Sequence, residues 1–397
     1  MRVLFSFAGG NGHFLPLVPI ARAVRAAGHA VAFAGQPAMA EAVEAAGFAA
    51  FATGGETLRS APVRTALLAF DAAREDRAVR DGFAGRTARD RAAALVDLCG
   101  RWRPGLLVCD EMDFGAMVAA ERLGLPHASV LVIAAGALVR PDLVAEPLNA
   151  LRTAHGLAPD PDLAMLRRHL VLSPVPPSFR DPAHPLPATA RLIRPAADEA
   201  VADGPPWLAA LPADRPVVYA TLGTVFHLES GDLLDRVIAG LRDLPAGLVV
   251  TTGREIDPAA LGPQPPHVRI ERYVPQSLLL PRCGLMVSQA GSGSVIGALA
   301  HGVPMVLLPI GADQPANAER CAALGIARVL DPVGCTPEAV REAAEAVLAD
   351  PAYRRAAERM AREVAAMPEV ATAVPLLERL AASVRPDQPG RVAPSRA

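Results

Sequence analysis

The chain contains no lysine: all 39 residues of its Lys+Arg total are arginines. That removes lysine Schiff bases, the lysine of P-loops and Ser-x-x-Lys nucleophile pairs. Cysteine is sparse. Cys99, Cys109, Cys283, Cys321 and Cys335 are scattered, with no Cys-x-x-Cys. They are expected to be reduced, mostly packed thiols of a cytoplasmic protein. Charge of either sign is also lacking in excess. The formal net charge is -2, with acids and bases mixed along the chain, which argues against nucleic acid or an anionic membrane as partner. No apolar run reaches the ~18 residues of a membrane span. The opening "MRVLFSFAGG" lacks the long apolar core and cleavage site of a signal peptide.

What is present is a long, apolar chain. Its 397 residues are 51% hydrophobic, too many for one compact core, which points to two domains. The chain opens as strand, Gly-rich turn and helix: Val3 to Phe7 are apolar, "AGGNGH" turns, and Leu15 to Ala27 are helical with Pro16 near the start. "HAVAFAG" is a second strand and "AMAEAVEAAG" a second helix ended by glycine. Asp71 to Leu98 is expected to form a charge-rich amphipathic helix. "LLVCD" (106–110) is a buried strand, followed by a helix to Leu123 and a strand at "HASVLVI". Such alternation implies a parallel sheet covered on both faces.

Prolines then crowd the segment from Pro174 to Pro216, with strand-like "ARLIRP" inside it. A second alternating set begins at "PVVYATLG" and runs through "GLVVTTG", "HVRIERYVP", "CGLMVSQAG", "GVPMVLLP" and "IARVLD". The expected division is a first domain over 1–195, a linker over 196–215 and a second domain over 216–370. A closing helix spans 371–384, with the option of returning to the first domain, and 385–397 form a disordered tail. Two such sheets face each other across a cleft, and ligands sit at their carboxyl edges.

Candidate residues therefore lie just after strands. In "SQAGSGSVIGALAHGVP" (288–304), Gly291 and Gly293 clear side chains from the start of a helix, while Ser292 and Ser294 add hydroxyls. Unpaired N–H groups and the positive end of the dipole make this a phosphate seat; its plain alternative is a tight turn that holds nothing. Gly223 and Thr224 end another strand. Tyr273 could stack on a base and Gln276 bond its edge, or Tyr273 could be core. Asp313 and Gln314 suit paired hydroxyls, or Asp313 could cap a helix. On the other side, His13 follows the first strand and titrates near neutrality, as a base for a hydroxyl must. It could equally cap the first helix. Asp110 could orient it, with Glu111 and Asp113 as rivals. "DPD" (160–162) mimics a metal-binding Asp-x-Asp, but it follows no strand and is expected to be a turn.

"RYVPQSLLL…CGLMVSQAGSGSVIGALAHGVPMVLLPIGADQPANAERCAALG" resembles the donor-binding region of GT-B nucleotide-sugar glycosyltransferases, closest to bacterial enzymes that decorate natural products. The resemblance spans essentially the whole chain. It implies an α/β GT-B fold of two Rossmann-like domains facing across a cleft, the first for the acceptor and the second for the donor. It implies stacking of the donor base on Tyr273 (usually Trp), with Val274 beside it and Gln276 near base and ribose. Gly291, Ser292, Gly293 and Ser294 match the pyrophosphate turn, and Thr224 lies in a loop that also reaches the phosphates. Asp313 and Gln314 match the pair on the sugar hydroxyls, and His13 the catalytic histidine. Gln289 departs from the family, which usually has His there, often with Gly at the place of Ala290. A Gln amide can donate one hydrogen bond but cannot become cationic.

The implied chemistry is direct displacement with inversion: His13 takes the acceptor proton and the nucleoside diphosphate leaves toward the helix at Ser292–Ser294. No metal or other cofactor is expected. The partners implied are a nucleotide sugar and a small hydrophobic aglycone, with a homodimer open. Three rivals remain. A nicotinamide enzyme is disfavoured, because the third glycine after Gly10 and Gly12 and the acid after the second strand are missing. A nucleotide-sugar epimerase or hydrolase would share the fold. A catalytically weak homologue serving as a binding partner draws weight from Gln289. Neither the acceptor, nor thymidine against uridine as donor base, is encoded in a motif.

Overall fold

The computed structural model describes residues 1–55, 64–195, 204–211, 214–223 and 228–383. Thr224, half of the expected linker and the expected tail lie outside the described residues.

Two parallel sheets form in series. The first holds β1 (Arg2–Ser6), β2 (Ala30–Gly35), β3 (Ala49–Ala52), β4 (Leu106–Asp110), β5 (His127–Val130), β6 (Leu170–Ser173) and β7 (Ala190–Leu192). The second holds β8 (Val217–Thr221), β9 (Gly247–Thr251), β10 (Val268–Glu271), β11 (Cys283–Ser288), β12 (Met305–Leu307) and β13 (Ala327–Val329). Spatial order is β3-β2-β1-β4-β5-β6-β7 and β10-β9-β8-β11-β12-β13. The central strands are buried along their whole length in β4, β8, β9 and β11, as near-continuous apolar runs require when helices cover both faces. In each sheet the winding reverses at one place, between β1 and β4 and between β8 and β11. Crevices open there, beyond the carboxyl ends of the strands.

The strand-like "ARLIRP" supplies Ala190–Leu192, the outer strand of the first sheet, paired with β6. Two elements differ from expectation. The linker's Pro206–Ala210 is a 3-10 turn whose Leu208 is buried in the core of the second domain. The expected helix over Asp71–Leu98 is α-helical only over Ala72–Arg77 and Ala88–Trp102, with a π-helical stretch, Ala78–Thr87, between them. Such widened turns recur at functional sites. The closing helix, Ala373–Ser383, crosses back to the first domain, burying Ala373 and Leu377 in its core.

The two domains touch. Ala134 and Ala135, after β5, donate their N–H groups to Ser292 Oγ (2.7 Å) and Asn317 Oδ1 (3.0 Å). Glu75 accepts from Ala312 N at 3.3 Å, and Thr65 and Gly231 are joined backbone to backbone at 2.9 Å. Among the described residues no helix is long and apolar enough to cross a membrane.

Candidate active site

The crevice of the first sheet carries His13. It lies in a short helix, Asn11–Phe14, directly after β1. Its Nδ1 sits 3.1 Å from Asp110 Oδ1 at the end of β4, and the imidazole is 19% exposed. Nδ1 donates to the carboxylate, so Nε2 is left free to accept a proton. The Phe83 ring, from the π-helical stretch, stacks on the imidazole at 6.0 Å. Gly9 makes room: a Cβ there would lie 2.2 Å from His13 Cδ2.

Geometry separates the three acids around this crevice. Asp110 is wholly buried and accepts from Ala8 N and Met112 N, both at 2.7 Å, besides His13. Asp113 is paired with Arg91, which donates to its two oxygens at 2.8 and 2.6 Å, and it caps the helix Phe114–Leu123. Glu111 accepts from Val132 N and Ile133 N, both at 2.6 Å, fixing the loop after β5. Only Asp110 of the three is hydrogen-bonded to the imidazole. Burial by itself would lower the His13 pKa. The adjacent Asp110 carboxylate, with smaller help from Asp313 and Glu111, outweighs it and raises the value above 6.5. Asp313 belongs to the second domain, so a charge from across the domain boundary bears on the imidazole.

On that far side, Gly291 is the N-cap of the helix Ser292–Ala300, which has no side-chain cap. Its first-turn N–H groups are therefore open to an anion. A Cβ on Gly293 would meet nothing within 4 Å, so local packing does not demand glycine there. Ser294 Oγ accepts from Gln276 Nε2 at 2.9 Å. Tyr273 is 53% exposed, a surface ring and not a core one. Val274 is 2% exposed and packs in the core of the second domain. Ser292 corrects an expectation. Its hydroxyl donates to Asp313 Oδ2 at 2.5 Å, so the proton expected to meet a phosphate is already committed. Asp313 occupies an N-cap position without capping; its carboxylate also receives Asn317 Nδ2 at 2.8 Å. Burial pushes its pKa up, partly offset by these two donors. Gln314 Oε1 accepts from Ile310 N and Gly311 N at 2.8 and 3.2 Å, so only its amide nitrogen remains for a ligand.

Gln289 packs against Gly223, after β8. A Cβ on Gly223, which has φ +73°, would lie 2.0 Å from Gln289 Nε2. Its Oε1 is buried with no hydrogen-bond partner among the described residues. Ala290, where the resemblance has Gly, adopts φ +68°, a conformation costing a non-glycine residue roughly 1–2 kcal/mol. Asp160 of "DPD" accepts from Met165 N at 2.7 Å and pairs with Arg168 at 3.2 Å; it is a turn. Among the described residues no group of three metal-ligating side chains forms.

Comparison with known proteins decides the family. The profile of the erythromycin biosynthesis protein CIII-like N-terminal domain matches residues 22–223, and that of its C-terminal domain residues 235–380. The chain is 32% identical to 10-deoxymethynolide desosaminyltransferase of Streptomyces venezuelae, covering 97% of this chain and 98% of the relative. It is 30% identical to 3-alpha-mycarosylerythronolide B desosaminyl transferase of Saccharopolyspora erythraea, covering 97% and 99%. The solved structure of the glycosyltransferase VinC in complex with dTDP superposes with a TM-score of 0.77 at 28% identity, covering 96% and 100%. The chain belongs to the erythromycin biosynthesis protein CIII-like family of bacterial natural-product glycosyltransferases. Its two sheets are those of a GT-B fold.

The family membership sets aside the nicotinamide and epimerase rivals. Phe83, Glu75 and Asn317 of this glycosyltransferase escaped the sequence analysis. The first two lie in a segment without a diagnostic motif. Asn317 carried one signal, its place four residues after Asp313, which puts both on one helix face.

Proposed function

We propose that this glycosyltransferase moves a deoxysugar from thymidine diphosphate to a hydroxyl of a small hydrophobic aglycone, with inversion at the anomeric carbon. The observation that carries the reading is the His13–Asp110 pair at 3.1 Å, with Asp313 of the second domain contributing to the raised imidazole pKa. The thymidine nucleotide is supported by VinC, solved with dTDP. The sugar and aglycone classes are supported by the two relatives named for desosamine transfer to macrolide-type acceptors.

In this mechanism His13 Nε2 takes the acceptor proton as the acceptor oxygen attacks the anomeric carbon, and the bond to the diphosphate oxygen breaks. Asp110 holds the ring through Nδ1 and stabilises the imidazolium that forms. The departing diphosphate is received by first-turn N–H groups at Ser292–Ser294, with Ser294 Oγ able to donate, while Asp313 and the Gln314 amide nitrogen hold the sugar hydroxyls. Tyr273 offers its exposed ring to the base and Gln276 lies beside it. Thr224, which the resemblance assigns to the second phosphate loop, lies outside the described residues. No metal or resident cofactor takes part in this scheme.

The experiment is transfer from a thymidine diphosphate sugar to an aglycone panel, read by the anomeric configuration of the product. The inverted anomer is expected. His13→Ala should cut the rate about 10²–10⁴-fold with nucleotide binding intact. Retained configuration, or a His13→Ala enzyme at full rate, overturns the reading.

A further inference from the structure

We propose that Asn317 is a positioning residue of the donor site: it aligns the Asp313 carboxylate for the transferred sugar and ties that alignment to the acceptor half through Ala135. The inference rests on the role given above to Asp313. Asn317 is wholly buried in the first turns of the helix Gln314–Ala323. Its Nδ2 donates to Asp313 Oδ2 at 2.8 Å, to Ala290 O at 3.0 Å and to Ser292 Oγ at 3.1 Å. Its Oδ1 accepts from Ala135 N at 3.0 Å, across the domain boundary.

The last contact fixes which way the amide faces. Turned over, the side chain would set an oxygen against three oxygens and a nitrogen against an N–H, so only this orientation fits, its two N–H groups shared among the three oxygens. Ser292 completes the arrangement, accepting from Ala134 N and donating to Asp313 Oδ2. Two successive N–H groups of the acceptor half thus end on Ser292 and Asn317, and both of these end on one carboxylate oxygen. That leaves little freedom in the plane of the carboxylate. Asn317 also holds the carbonyl of Ala290, the positive-φ residue before the phosphate turn. A purely structural role would therefore show itself as damage to that turn, and the test must tell the two apart.

The test is titration calorimetry of the full chain with two probes, thymidine diphosphoglucose and thymidine diphosphate. Asn317→Ala should weaken the first roughly tenfold or more while changing the second by no more than about threefold. In an Asp313→Ala background the same substitution should cost at most about twofold more, because the two residues act as one unit. Asn317→Asp keeps the shape but turns the donor into an acceptor facing Asp313. It should lose at least as much, and its sugar-nucleotide binding should fail at higher pH than in the parent as the pH is lowered. That variant also answers the question if Asn317→Ala does not fold. Equal weakening of both probes, or additive losses, assigns Asn317 to the turn alone and overturns the proposal. Loss in Asp313→Ala with none in Asn317→Ala overturns only the proposal. An Asp313→Ala protein that binds the sugar nucleotide unchanged overturns the donor-site role of Asp313 and the proposal with it.

Discussion

Asp110→Asn separates two things that the carboxylate does for His13. In the proposed mechanism transfer needs neutral imidazole, and the folded His13 titrates above its ordinary 6.5 because of the acids around it. The rate should therefore climb as pH rises through that elevated value. Asparagine removes the charge that outweighed burial, so the limb of the pH–rate profile should move to lower pH. The plateau should fall by roughly one to three orders of magnitude, since orientation is lost as well. A profile that does not move would detach Asp110 from the base. Gln289→His tests the leaving-group side. The neutral amide has an orphan oxygen beside Gly223, whereas a protonated imidazole would give a charge-assisted bond worth ~1.5–3 kcal/mol, about tenfold or more in nucleoside diphosphate affinity. Calorimetry below pH 6.5 should show the gain, and flat affinity would remove Gln289 from the diphosphate. His13 and Asp110 were legible because one follows a strand and the other closes one at the ligand edge. The commitment of the Ser292 hydroxyl to Asp313 was not, because the partner lies 21 residues on in another loop.

Among the elements, the helix Ala88–Trp102 is fastened by one guanidinium. Arg91 is wholly buried and donates to Asp113, to Ser6 Oγ at 2.8 Å, to Thr53 Oγ1 at 2.9 Å and to Ala34 O at 3.3 Å. It links the helix to β1, β2 and the cap of the next helix. Gly115 lets the two helices close up, since a Cβ there would lie 2.5 Å from Ala88 O. Arg91→Met keeps the volume but leaves Asp113 buried without its cation, which should cost ~3–5 kcal/mol. The urea midpoint should fall without a change of slope, and a shift within ~0.5 kcal/mol would contradict this. The strands were legible from apolar runs between Gly and Pro punctuation. The π-helical stretch was not, because Gly82 and Gly85 read equally as loop or weak helix. Phe83, which that stretch aims at His13, was hidden with it.

At the scale of the whole molecule, two parallel sheets meet through the loop after β5 and the helix starts at Ser292 and Gln314. One side of the cleft carries the His13 imidazole held by a carboxylate, and the other carries an uncapped helix N-terminus beside a buried acid. Two alternating strand–helix sets around a proline-rich break were enough to read this arrangement from the chain. The contacts that bring the halves together, Ala134 on Ser292, Ala135 on Asn317 and Glu75 on Ala312, join residues far apart in sequence with no pattern to link them. The most direct measurement is the melting temperature of the full chain against a panel of nucleoside diphosphates, their sugars and nicotinamide cofactors, with His13→Ala alongside. We expect thymidine diphosphate and its sugars to raise the melting temperature of both proteins, and nicotinamide cofactors to leave it unchanged. No shift with any nucleoside diphosphate would contradict the account.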